Sequence, residues 1–182
     1  MRHQKVFGPM SHRARRMILE APVWPPMIKP AEILPLSAHI LVVDDHEDSR
    51  LVARTVLEHA GYTVSLAANG PDALRLAASL KPDLVLMDIV LPELDGLEVT
   101  RRLRADVRTH DLRIVAVTAL ARSTVREDAL LAGCNAFLCK PYPVRTLRTL
   151  VFEQLLLGRV QAHLHPVAHG THRIAAPTKG QY

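Results

Sequence analysis

The chain has 182 residues, 23 of them Lys or Arg and 18 Asp or Glu, giving a net charge of +5 with histidines neutral. That length suits one compact domain with tails, and no apolar run reaches the ~18 residues of a membrane span. The charge is uneven: residues 1–37 hold six basic and two acidic residues, 38–157 hold fourteen and sixteen, and 158–182 hold three and none. The basic balance belongs to the ends, so it gives no reason to expect direct DNA binding by the central part.

Residues 1–37 read as a basic extension in which Pro22, Pro25, Pro26, Pro30 and Pro35 forbid a long helix after Arg13, Arg15 and Arg16. The segment is expected to be disordered. Its arginines could touch an acidic partner, but a solvated tail is the simpler reading, and Met27 is an alternative start. The first twenty residues lack the apolar stretch and small-residue cleavage site of a secretory signal, so a cytoplasmic location is the default.

From residue 38 to 157, short β-branched runs alternate with stretches of helical periodicity. The spacing predicts strands over 40–44, 63–67, 84–88, 114–118 and 136–139, and helices over about 49–59, 71–80, 96–104, 122–132 and 144–157. Gly61, Pro71, Pro82 and Gly133 punctuate these elements as helix stops and starts do. Repeated β-α units imply an α/β fold around a parallel sheet. Cys134 and Cys139 have no metal-ligand spacing and read as small packed residues. Beyond residue 158, His163, His165, His169 and His172 are irregularly spaced, as in a disordered His-rich tail rather than a metal site.

Four of the runs end in polar residues: Asp44 and Asp45 after ILVV, Asp88 after LVLM, Thr118 after IVAV and Lys140 after AFLC. Ligands of open α/β sheets gather at the carboxyl ends of strands, so three carboxylates, a hydroxyl and an ammonium should converge on one crevice. Asp44 alone could cap a helix, Thr118 could bond its own backbone, and Lys140 could be a surface charge; the ordered set argues for a site. Three neighbouring carboxylates repel one another unless a cation sits among them, and an all-oxygen donor set suits Mg²⁺. An aspartate can also act as a nucleophile toward phosphorus, and Asp88 is the best-placed candidate. A phosphoryl group there would meet the metal, the Lys140 ammonium and the Thr118 hydroxyl.

The motifs VVDDHEDSR, LVLMDIVLPELDGLEV, AVTAL and LCKPY, in this order and spacing, resemble those of the response-regulator receiver domain of two-component signalling. The resemblance covers about Ile40 to Leu157. It implies a doubly wound (βα)5 parallel sheet of flavodoxin-like order 2-1-3-4-5 in a three-layer sandwich. It further implies that Asp88 is the phosphoacceptor, and that Asp44, Asp45, Asp88 and the backbone carbonyl of Val90 hold Mg²⁺. Thr118 and Phe137 are implied as the switch pair, and the Lys140-Pro141 bond is implied to be cis. An X-Pro bond alone would be cis only about once in twenty.

On this reading the chain is no enzyme but a phosphoacceptor switch with at most slow autodephosphorylation. Its expected partners are a sensor histidine kinase or histidine phosphotransfer protein and a downstream protein target. The few residues after 157 leave no room for an output domain, so a stand-alone receiver is expected. It would signal through the face of the 122–132 helix, the last strand and the 144–157 helix. Leu91, Val90 and Leu120 depart from the commoner residues of the family, and apolar Val90 and Leu120 beside the acyl phosphate should slow its hydrolysis.

Three other readings compete with this one. A phosphorylation-independent interaction module that binds a partner through its basic tails is opposed by the full acidic set with Lys140. An aspartyl-nucleophile phosphatase needs a second Asp where Val90 stands. A flavin binder needs a Ser/Thr/Gly-rich loop where DDHEDSR stands.

Overall fold

The computed structural model describes residues 37–120 and 122–164. Strands and helices alternate: β1 (His39–Val43), α1 (Glu47–His59), β2 (Thr63–Ala67), α2 (Gly70–Leu80), β3 (Leu84–Asp88), α3 (Gly96–Ala105), β4 (Arg113–Thr118), α4 (Ser123–Ala132), β5 (Ala136–Cys139) and α5 (Val144–Leu164). All strand pairings are parallel, in the order β2-β1-β3-β4-β5. This is the expected doubly wound sheet.

Period-2 alternation along each strand divides the apolar residues between two cores. Leu41, Val43, Val85, Met87, Ile114 and Ala116 pack with Ala73 and Ala77 of α2, Val99 and Leu103 of α3 and Ala129 of α4. Ile40, Val42, Leu84, Leu86, Val115 and Val117 pack with Leu57 of α1 and Leu147, Val151 and Leu155 of α5. The central strands β1, β3 and β4 are apolar on both faces because helices cover both, as parallel sheets require.

Helix ends follow local chemistry. Asn69 accepts the Asp72 N–H at 2.8 Å to start α2, with Pro71 in its first turn. Gly133 ends α4 at φ +106°, and a Cβ there would lie 2.9 Å from Cγ of Arg104. Arg104 in turn donates to the Gly133 carbonyl, which ties α3 to the end of α4. Cys134 is buried and Cys139 half-buried, both free thiols, consistent with packing roles.

One boundary differs from expectation. The last helix is expected to end at about 157, yet α5 continues through Gly158 to Leu164, so residues 158–164 are helix rather than tail. The reason is packing: a Cβ at Gly158 would sit 3.3 Å from Cγ of Arg113. The missing side chain lets α5 lie close to β4, and the Arg113 guanidinium reaches Gln154 and Gln161 on either side of the glycine. The expectations for residues 1–36, including Met27, and for His165, His169 and His172 lie outside the described residues. Among the described residues no helix is long and apolar enough to cross a membrane.

Candidate functional site

The ends of β1, β3, β4 and β5 bring Asp44, Asp88, Thr118 and Lys140 together, as strand order alone implies. Asp44 and Asp88 are each only 5% exposed and Thr118 is fully buried. Lys140 Nζ donates to Oδ2 of Asp44 at 2.5 Å and to Oδ2 of Asp88 at 2.6 Å, bridging residues far apart in the chain. The remaining carboxylate oxygens are held by backbone: the His46 N–H meets Asp44 Oδ1 at 2.9 Å, and the Val90 N–H meets Asp88 Oδ1 at 3.0 Å. Each buried carboxylate therefore has charge-assisted partners on both oxygens.

Lys140 sits after β5, and its peptide to Pro141 is cis. Burial pulls the ammonium's pKa down, but hydrogen bonds and charge from Asp44 and Asp88 outweigh it, and the net shift is upward. The group is a permanent cation at physiological pH. Tyr142, half-buried beside it, has its phenol pushed up chiefly by burial, with Lys140 opposing and the two aspartates adding.

Thr118 Oγ1 accepts the Leu120 N–H at 3.2 Å, and its carbonyl accepts the Lys140 N–H at 2.7 Å. Phe137 lies half-buried on β5 against the α2–α4 core, opposite Ala116 in the ladder, two register steps before the Thr118–Cys139 pair. Thr118 and Phe137 therefore share a sheet face.

The loop after β3 is shaped by Asp95 and Gly96. Asp95 caps α3 by accepting the Glu98 N–H at 2.8 Å, and the Gly96 N–H donates to the Ile89 carbonyl at 2.9 Å. A Cβ on Gly96 would fall 2.0 Å from the Asp88 carbonyl oxygen. Backbone meeting backbone cannot yield as a side chain can. Gly96→Ala is expected to cost about 3 kcal/mol in urea unfolding, the upper range for overpacking, and to slow any reaction at Asp88 by displacing it.

Residues that sequence reasoning passed over complete the site. Arg50, on the first turns of α1, donates to the backbone carbonyls of Asp44 at 2.6 Å and Asp45 at 2.9 Å, clamping the β1–α1 loop. His46 Nδ1 lies 2.7 Å from Asp45 Oδ1. Both belong to the DDHEDSR run, where an arginine about one turn into the helix after an acidic strand end was the available clue. A pocket of about 430 Å³ opens here, lined by Asp45, His46, Asp88, Val90, Leu120 and Lys140. Val90 and Leu120 are 55% and 43% exposed at its rim, and Leu91 is buried.

A sheet of this order carrying three acids and a lysine at one edge defines a class. Residues 40–152 match the family model of the response regulator receiver domain, and the chain belongs to that family. It is similar to the polar-differentiation response regulator DivK of Brucella anthropi, with 40% identity over 105 residues, 58% of this chain and 85% of that protein. The DivK of Brucella abortus (strain S19) is 38% identical over 109 residues, 60% of this chain and 89% of the relative. Among solved structures, the receiver domain of sensor histidine kinase PA1611 from Pseudomonas aeruginosa PAO1 is 36% identical with a TM-score of 0.62. That match covers 65% of this chain and 98% of the relative, which is described with a magnesium ion coordinated in its active site cleft. A putative response regulator from Chloroflexus aurantiacus gives 32% identity and a TM-score of 0.63 over the same shares. The protein is thus a receiver-domain response regulator of two-component signalling, a class of phosphoacceptor switches rather than enzymes in the ordinary sense.

Proposed function

We propose that Asp88 accepts a phosphoryl group from a histidine kinase or histidine phosphotransfer protein, and that the change is read by a protein bound at the α4, β5 and α5 face. The observation that carries this reading is the Lys140 bridge. It holds Asp88 beside Asp44 with one fixed cation, at the mouth of a pocket wide enough for a phosphoryl donor. A carboxylate oxygen of Asp88 attacks phosphorus, the bond from phosphorus to the donor nitrogen breaks, and the leaving imidazole takes up a proton.

The donor set fits Mg²⁺. Asp44, Asp45 and Asp88 carry three negative charges against the single positive charge of Lys140, and all their donors are oxygens. Asp45, Asp88 and the Val90 carbonyl would hold the ion, with Asp44 direct or through water. Bound there, it neutralises charge on the oxygens being transferred. Lys140 would then move from Asp88 Oδ2 to a phosphoryl oxygen, and the Thr118 hydroxyl would offer a second donor. Withdrawal of Thr118 would open space on the sheet face it shares with Phe137. Phe137 has no hydroxyl, so this coupling works by packing alone. Leu131 on α4, 86% exposed, and Val144 at the start of α5, 52% exposed, supply apolar contact area for the reader.

Phosphorylation by acetyl phosphate in Mg²⁺, followed by intact mass, tests the reading. Apolar Val90 and Leu120 cannot orient a hydrolytic water, so the acyl phosphate should be long-lived. V90N and L120E are expected to shorten its lifetime, up to about a hundredfold, the low end of what a positioned proton-transfer group contributes. Equal lifetimes in a phosphate-release assay would reject the idea.

A further inference from the structure

We propose that His46 is a nitrogen ligand at this site, which gives the receiver an affinity for a borderline divalent transition ion of the Co²⁺ and Zn²⁺ class beyond its affinity for Mg²⁺. The inference rests on the reading that Asp44, Asp45 and Asp88 hold a divalent cation.

His46 stands at the N-cap position of α1, yet its side chain caps nothing. The imidazole turns instead to the acids, with Nδ1 2.7 Å from Asp45 Oδ1 and 3.7 Å from Asp44 Oδ1. One donor atom from each of the three residues lies within 4.8 Å of the others. Neighbouring donors around an octahedral ion with bonds of about 2.1 Å lie about 3 Å apart. The separations of Nδ1 from the two carboxylates bracket that value, so an ion held by Asp45 finds the ring nitrogen at coordinating distance.

The ring is 75% exposed. With its proton moved to Nε2, Nδ1 can exchange the hydrogen bond to Asp45 for a metal bond without unpacking anything. The ring lines the pocket that also contains Asp88 and Lys140. Mg²⁺ keeps oxygen ligands and water, whereas Co²⁺ and Zn²⁺ gain strongly from imidazole. One nitrogen therefore shifts selectivity while leaving the Mg²⁺ site intact.

The test is calorimetric titration of the full chain with CoCl2 and, separately, MgCl2. Wild type is compared with H46Q, whose amide can still donate to Asp45, and with D45N. Subtracting the D45N isotherm removes binding by histidines elsewhere in the chain. Co²⁺ affinity is expected to fall about tenfold in H46Q while Mg²⁺ affinity stays within about twofold. Unchanged Co²⁺ affinity in H46Q, or a parallel fall for both ions, overturns the proposal. Mg²⁺ binding that D45N leaves intact would overturn the underlying cation site as well, so the two failures are distinct.

Discussion

The D88N protein is expected to gain no phosphoryl mass under conditions in which wild type gains one group. Asp88 is the central member of the cluster and the only β3 residue in it, and its carboxylate is held by Lys140 and the Val90 N–H. An amide in its place keeps the size and one acceptor oxygen but is a far weaker nucleophile toward phosphorus. The variant also lowers the local negative charge, so it should fold at least as well as wild type, and loss of labelling will not reflect unfolding. Acetyl phosphate, Mg²⁺ and intact mass spectrometry suffice. Labelling of D88N at the wild-type level would move the acceptor to another residue and would remove the basis for assigning Thr118 and Lys140 to the phosphoryl oxygens.

Lys140→Ala is expected to produce a large stability change, and one that depends on divalent ions. Removing the ammonium leaves Asp44 and Asp88, both nearly buried, facing each other without a cation. Breaking a buried pair on one side leaves an uncompensated charge, and about 3 kcal/mol is expected here, the lower range for such losses because Lys140 is partly exposed. For a domain of this size that is a fall in melting temperature on the order of 10 °C in EDTA. Mg²⁺ should then stabilise the variant more than wild type, since no ammonium competes for the Oδ2 atoms. Melting curves in EDTA and in rising Mg²⁺ decide it. A Mg²⁺ response equal to that of wild type would mean that Lys140 and the ion do not share these carboxylates.

Much of the sheet and of the site could be read from residues because each strand end carries its own polar group, and parallel topology leaves those groups one place to meet. Asp44, Asp88, Thr118 and Lys140 meet there as expected. What escaped was set by contacts that no periodicity reports. β1 begins one residue earlier than expected, at His39, because its N–H bonds the Asp83 carboxylate at 2.7 Å and its ring bonds the Ser65 hydroxyl at 2.9 Å across the sheet. α1 begins two residues earlier, at Glu47, where Asp44 takes the His46 N–H and Glu47 and Asp48 favour the positive end of the helix. Gly158 is the plainest case. The helical pattern ends the last helix near 157, whereas Arg113, packed against Gly158 and bonded to Gln154 and Gln161, ties β4 to a helix that runs on to Leu164.

Asp44, Asp88 and Lys140 continue the strand positions whose apolar members face α1 and α5, whereas Thr118 continues those facing α2, α3 and α4. On the function proposed above, the reacting acids and the residue that first answers them would therefore sit on opposite layers of the molecule and meet at the rim of the sheet. The proposed reader face draws on both layers, α4 from one and α5 from the other, so its exposed residues can change without moving the acids. A fold partitioned in this way can keep one reaction and acquire many audiences.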